Sequence, residues 1–128
     1  MAFLPYNIFM KKNYQVIFYR NKEKKFPFID FLNNLDDKLR AKTLMMVHLL
    51  EENGVDLREP FTKSLGDGIF KLRAISGSNI TRSLFFFYID KKIIITNGFI
   101  KKAQKTPSNE IELAKKYKNE YIERNKKK

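Results

Sequence analysis

Three runs of β-branched and aromatic residues, each with cations inside it or at its end, constrain this chain more than any other feature. The first is Leu65-Gly66-Asp67-Gly68-Ile69-Phe70-Lys71-Leu72-Arg73. The second is Thr81-Arg82-Ser83-Leu84-Phe85-Phe86-Phe87-Tyr88. The third begins Ile93-Ile94-Ile95-Thr96-Asn97-Gly98-Phe99-Ile100 and ends in Lys101-Lys102-Ala103-Gln104-Lys105-Thr106-Pro107. Such runs, separated by turn residues, read as strands over residues 69–75, 80–89 and 93–96. Ser76-Gly77-Ser78-Asn79 is a hairpin loop. Symmetric closure of that loop sets Ile75 against Ile80 and Arg73 against Arg82. Alternation then puts Phe70, Leu72, Ala74, Phe85, Phe87 and Ile89 on one face. Ile69, Lys71, Arg73, Arg82, Leu84, Phe86 and Tyr88 share the other.

Cations in the middle of a strand need a reason. Like charges directly opposed across a ladder are destabilising. An anion between Arg73 and Arg82 removes the penalty, and a guanidinium fork fits phosphate oxygens. Pairing with acids of the last helix, Glu110 or Glu112, removes it equally well. The sequence leaves both options open. Lys101-Lys102-x-x-Lys105 reads as a solvated charge run, except that it lies between a strand and a helix start, a place that attracts anions.

The rest of the chain supplies a core. Residues 14–19 read as a first strand, and residues 22–25 as a charged loop. Pro27 opens a short helix with Phe28, Phe31, Leu32 and Leu35 on one side. Asp36 or Asp37 caps a second helix with Leu39, Thr43, Met46, Val47 and Leu50 inside, ended by Asn53-Gly54. Together they form a helical hairpin, expected on the apolar sheet face. His48, alone of its kind, falls within the second helix and is read as structural. Residues 55–63, with Pro60 and Lys63, are a connector. The Leu65-Gly66-Asp67-Gly68 turn lacks the spacing of a phosphate loop. Thr106-Pro107 is the N-cap and first position of a last, partly amphipathic helix, with Glu110 and Glu112 in its first turn.

A chain of 128 residues fits one domain, residues 1–128. The net charge of +12 favours a polyanionic partner, with nucleic acid first and an acidic protein second. Part of that charge is the tail, residues 124–128, expected to fray. There is no cysteine, which excludes disulfides, thiolate zinc sites and a cysteine nucleophile and fits the cytoplasm. No apolar run nears the roughly 20 residues of a membrane helix, so no membrane role is expected. Residues 1–10 make a poor signal peptide. Met10-Lys11-Lys12 offers a second start, with residues 1–9 then an extension. No carboxylate cluster, histidine pair or Ser/His/Asp set appears, so no metal and no cofactor are expected. A phosphate-handling site here works by positioning and electrostatics.

The run from Leu65 to Arg73, Arg82 among aromatics, Gly98-Phe99-Ile100-Lys101-Lys102-Ala103-Gln104-Lys105-Thr106-Pro107 and Glu110-Ile111-Glu112-Leu113-Ala114 resemble the phage-derived Gp49-like, HigB-type toxins. These belong to the RelE/ParE superfamily of type II toxin–antitoxin systems, and the resemblance spans about residues 14–121. It implies an α+β, RelE-like fold: a small antiparallel sheet, an N-terminal helical hairpin on one face and a C-terminal helix. It implies an mRNA interferase acting in the ribosomal A site, a helix-turn-helix antitoxin of the HigA kind, and a complex that represses its own operon through operator DNA. The family's basic residues map onto Arg73, Arg82, Lys101, Lys102 and Lys105. Lys71 stands where members often have Glu, and Asn97 where they often have His.

The expected reaction is metal-independent cleavage by the RNA's own 2′-OH, with Arg73, Arg82, Lys102 and Lys105 catalytic. Lys63, Lys71, Lys101, Asn97, Tyr88 and Phe99 are the expected RNA contacts. A gyrase poison of ParE type and a non-catalytic basic nucleic-acid-binding domain are the alternatives.

Overall fold

The computed structural model describes residues 14–126. The extension expected over residues 1–9 lies outside them. Strand β1 (Gln15–Phe18) leads to helix α1 (Pro27–Asn33) and helix α2 (Asp37–Asn53), followed by a 3₁₀ turn over Gly54–Asp56. Strands β2 (Thr62–Gly66), β3 (Ile69–Ser76), β4 (Asn79–Tyr88) and β5 (Lys92–Ile100) follow, and helix α3 (Ser108–Lys126) closes the chain. The five strands form one sheet in the order β1-β5-β4-β3-β2. This is an α+β architecture. No helix among the described residues is long and apolar enough to cross a membrane.

Local chemistry explains most boundaries. Asp36 is the cap of α2, its carboxylate accepting from Leu39 N at 2.8 Å. Gly54 ends α2 at φ 54°, a conformation glycine adopts without strain. The β3–β4 register matches the alternation: Arg73 opposes Arg82 and Ile75 opposes Ile80. Ile89 lies beyond β4 and is 67% exposed, so it does not join the apolar face.

Three expectations need correction. The sheet is mixed, because β1 runs parallel to β5 at the edge. Its outer Val16 N–H is satisfied by Glu51 of α2 at 2.8 Å. The connector contains a strand, β2, antiparallel to β3. The third run does not stop at Thr96: β5 continues through Asn97-Gly98, with an irregularity opposite Ser83 and Phe85. Gly98 permits this, since a Cβ there would sit 2.6 Å from Phe31 Cδ2.

Two cores sandwich the sheet. On the hairpin face, Phe28, Leu32, Leu39, Val47 and Leu50 pack on Leu72, Ala74, Phe85, Ile93 and Ile95. Thr43 and Thr81 share a buried 2.8 Å hydrogen bond there. On the other face, Ala114 and Tyr121 of α3 pack with Tyr19, Ile69, Leu84, Phe86 and Ile94. Helix α3 runs through Lys126, so residues 124–126, expected to fray, are helical. Arg124 is engaged, donating to Arg20 O at 2.8 Å and lying over the Tyr19 ring.

Candidate nucleic-acid interface

Helix α3 covers only part of its sheet face. The uncovered part is where the cations gather. Lys63 on β2 faces Lys71 on β3 directly. Arg73 on β3 faces Arg82 on β4 directly. Two like-charge pairs therefore adjoin on one surface, each disfavoured in isolation. All four side chains line one pocket of about 230 Å³, with Glu59, Pro60, Phe61, Thr62 and Gln104.

The alternative of pairing with the last helix is not what the fold adopts. Glu110 accepts from Asn97, and Glu112 pairs with Lys115. No ion pair among the described residues involves Lys63, Lys71, Arg73 or Arg82. Glu59, exposed, is the one carboxylate lining the pocket.

Arg82 is the anchor. It is 4% exposed, and its Nη1 donates to Gln104 O at 3.2 Å and Thr106 Oγ1 at 3.4 Å. The loop 101–107 is thereby tied to the sheet. Thr106 is thus a partner of Arg82 rather than the helix cap, and Pro107 O accepts from Ile111 N at 3.3 Å to start α3. Arg82 Nε is buried with no partner among the described residues. Burial, then the Arg73 charge, lowers the Arg82 pKa. A guanidinium nonetheless stays protonated, so this cation is held in place with donor capacity to spare. Arg73 is half-buried, and its backbone N–H donates to Phe61 O at 2.9 Å.

Lys71 is the most perturbed lysine of the group. Burial pushes its amine below the ordinary value, and Arg82, Lys63, Lys101 and Arg73 push the same way. The neutral amine is more accessible here than on a free lysine. Lys71 was expected on this face, but only as an RNA contact.

The other expected residues divide. Lys101 lies close enough to act on Lys71, and its Nζ donates to Gln104 Oε1 at 3.4 Å. Phe99 opposes Arg82 on β5 and lines a separate apolar groove of about 450 Å³ with Lys102 and Phe31. Lys102 and Lys105 are exposed on the loop. Tyr88 is six residues along β4 from Arg82 and packs edge-on against Tyr121, remote from the pocket. Asn97, expected as an RNA contact, is turned into the fold instead. It is 4% exposed, its amide donates to Glu110, and its carbonyl accepts from Thr96 Oγ1 at 2.7 Å. It braces α3 against the sheet. His48 is exposed on α2 beside Glu52, away from this face.

Strand β2, and with it the Lys63–Lys71 pair and the place of Phe61, was not legible in the sequence. The signal was Thr62-Lys63-Ser64-Leu65, an alternation too polar to read as a strand in a region already assigned to a connector. Among the described residues no three His, Asp or Glu side chains gather as metal ligands would. The chemistry this surface can perform is anion binding: guanidinium and ammonium donors converge where a phosphate oxygen fits.

No curated protein matches the chain. The family model of phage-derived Gp49-like proteins (DUF891) matches residues 30–119. The match takes in strands β2 to β5, and so every cation of the pocket. The chain therefore belongs to the phage-derived Gp49-like family, a family associated with toxin–antitoxin systems and so with an antitoxin partner.

Proposed function

We propose that this protein is the toxin of a type II toxin–antitoxin pair and an mRNA interferase of HigB type, cutting messages in the ribosomal A site. The observation that carries the reading is the doubled like-charge contact, Lys63–Lys71 and Arg73–Arg82, free of acidic partners and lining one pocket. A bound phosphodiester relieves both contacts at once. In the reaction the RNA 2′-oxygen forms a bond to the adjacent phosphorus and the bond from phosphorus to the 5′-oxygen breaks. The products are a 2′,3′-cyclic phosphate and a 5′-OH. Arg73 and Arg82 stabilise the pentavalent phosphorane. Lys71, with its lowered pKa, accepts the 2′-OH proton. In this reading Lys102 or Lys105, exposed on the loop, gives a proton to the departing 5′-oxygen. Lys63 and Lys101 hold flanking phosphates, and Phe99, opposite Arg82 on β5, is a further expected RNA contact.

The partner of this reading is a helix-turn-helix antitoxin of the HigA kind, which neutralises the toxin in the cytoplasm and carries the pair to operator DNA. The test is induction of wild type and Arg73→Ala in cells lacking antitoxin, with mRNA 5′ ends mapped. Arg73 is the cleaner target, since Arg82 also ties down the loop. Growth arrest with new cuts in translated messages, lost in Arg73→Ala, is the expected result. Arrest with DNA breaks and intact messages overturns the reading in favour of gyrase poisoning. Cuts that persist in a folded Arg73→Ala protein overturn the site.

A further inference from the structure

Phe61 is the only phenylalanine exposed among the described residues, at 43%. It sits on the wall of the cation pocket, beside Pro60 and next to Arg73 through the 2.9 Å bond from Arg73 N to its carbonyl. Thr62 after it is buried toward the hairpin face, opposite Leu72. Phe61 is the turn residue just before β2, and it lines the same pocket as Lys63. It takes part in none of the ring–ring or cation–ring contacts found among the described residues.

We infer that Phe61 is the stacking platform for one base of a single-stranded RNA whose phosphate lies between Arg73 and Arg82. A nucleotide couples a charged phosphate to a flat apolar base one sugar away, and this wall offers the matching pair. Stacking accepts any base, because every base has a π-face. Phe61 therefore contributes affinity and positioning more than sequence choice. The inference rests on the reading of the pocket as an RNA site.

The experiment uses the whole protein and a single-stranded RNA oligonucleotide with 2′-O-methyl groups, which binds without being cut. The chain has no tryptophan, so Phe61→Trp installs a unique reporter. Its emission is expected to quench on titration, with affinity close to wild type. Phe61→Ala is expected to weaken binding about tenfold, measured by anisotropy of the labelled RNA. An abasic oligonucleotide of the same length should bind wild type and Phe61→Ala equally, which a merely structural role would not produce. If wild type binds the RNA and Arg73→Ala does not, while Phe61→Ala binds as wild type and the tryptophan stays unquenched, the inference falls and the RNA site stands. If wild type and Arg73→Ala bind the RNA equally, the pocket reading falls and this inference with it.

Discussion

The two ends of one sheet face treat charge in opposite ways. Where α3 docks, charges are matched. Lys115 Nζ lies 2.8 Å from Asp67 and 3.3 Å from Glu112, Lys118 donates to Asp67 O, and Tyr19 OH donates to Glu120. At the open end, Lys63, Lys71, Arg73 and Arg82 face one another without a carboxylate partner. The acids are not in short supply: Glu110 and Glu112 are on the helix nearest by and are used elsewhere. The contrast separates charges that hold the fold together from charges held ready for something outside it.

The strongest way to break the contrast is to make the open end resemble the matched one. Arg73→Glu places a carboxylate opposite Arg82 and beside Lys71. Cleavage is expected to fall about 10³-fold. Stability is expected to rise by about 0.2–1 kcal/mol, as a repulsive cross-strand pair becomes attractive. A thermal melt alongside a cleavage assay reads both. A variant that loses stability and keeps activity would dissolve the distinction between the two ends.

Lys71→Arg sharpens it further. Burial and Arg82 lower the Lys71 pKa from 10.5, so the neutral amine appears at lower pH than on a free lysine. Cleavage by the wild type is therefore expected to climb with pH below that value. An arginine keeps the charge and cannot lose its proton. We expect a rate about 10²-fold lower and no alkaline rise, which single-turnover kinetics across pH will test.

At the matched end the effects move to stability. Tyr19 is fully buried, and burial, then the Glu120 hydrogen bond, raises its pKa from 10.0 to about 12. The folded-state value is above the unfolded one. Its stabilisation is thus whole below pH 10 and fades as pH climbs through about 12. Tyr19→Phe should lower stability by about 1 kcal/mol at neutral pH and flatten the alkaline decline in denaturant titrations. Smallest of all is Lys115→Ala. Its bridge is solvent-exposed, so the melting temperature should barely move and cleavage should stay at wild-type level. A large loss in either would mean the two ends are coupled.

Much of this was legible in the chain. The alternation of Phe70, Leu72, Ala74 against Lys71 and Arg73 set the faces of β3, and the four-residue loop set its register with β4. Asp36 or Asp37 and Gly54 marked the ends of α2, with Asp36 the cap, because capping is local chemistry. What escaped was edge structure. β2 carries few apolar residues because it borders the sheet, and its pairing with β3 decides its state more than its own composition does. The expected strand stopped at Thr96, because Asn97 and Gly98 after it are poor strand formers. Here β5 runs through them, and Phe31 fills the space a side chain at Gly98 would take.

The sequence alone determined the strand pairing that opposes Arg73 and Arg82, since alternation and loop length are short-range matters. It could not choose between an external anion and an internal acid as the answer to that repulsion. The tertiary structure decided by where it aimed the acids. Packing α3 on Ile69, Leu84, Phe86 and Ile94 turns Glu110 toward Asn97 and Glu112 toward Lys115. Which cations stay unpaired depends on the seating of a whole helix, a long-range outcome that no window of residues contains.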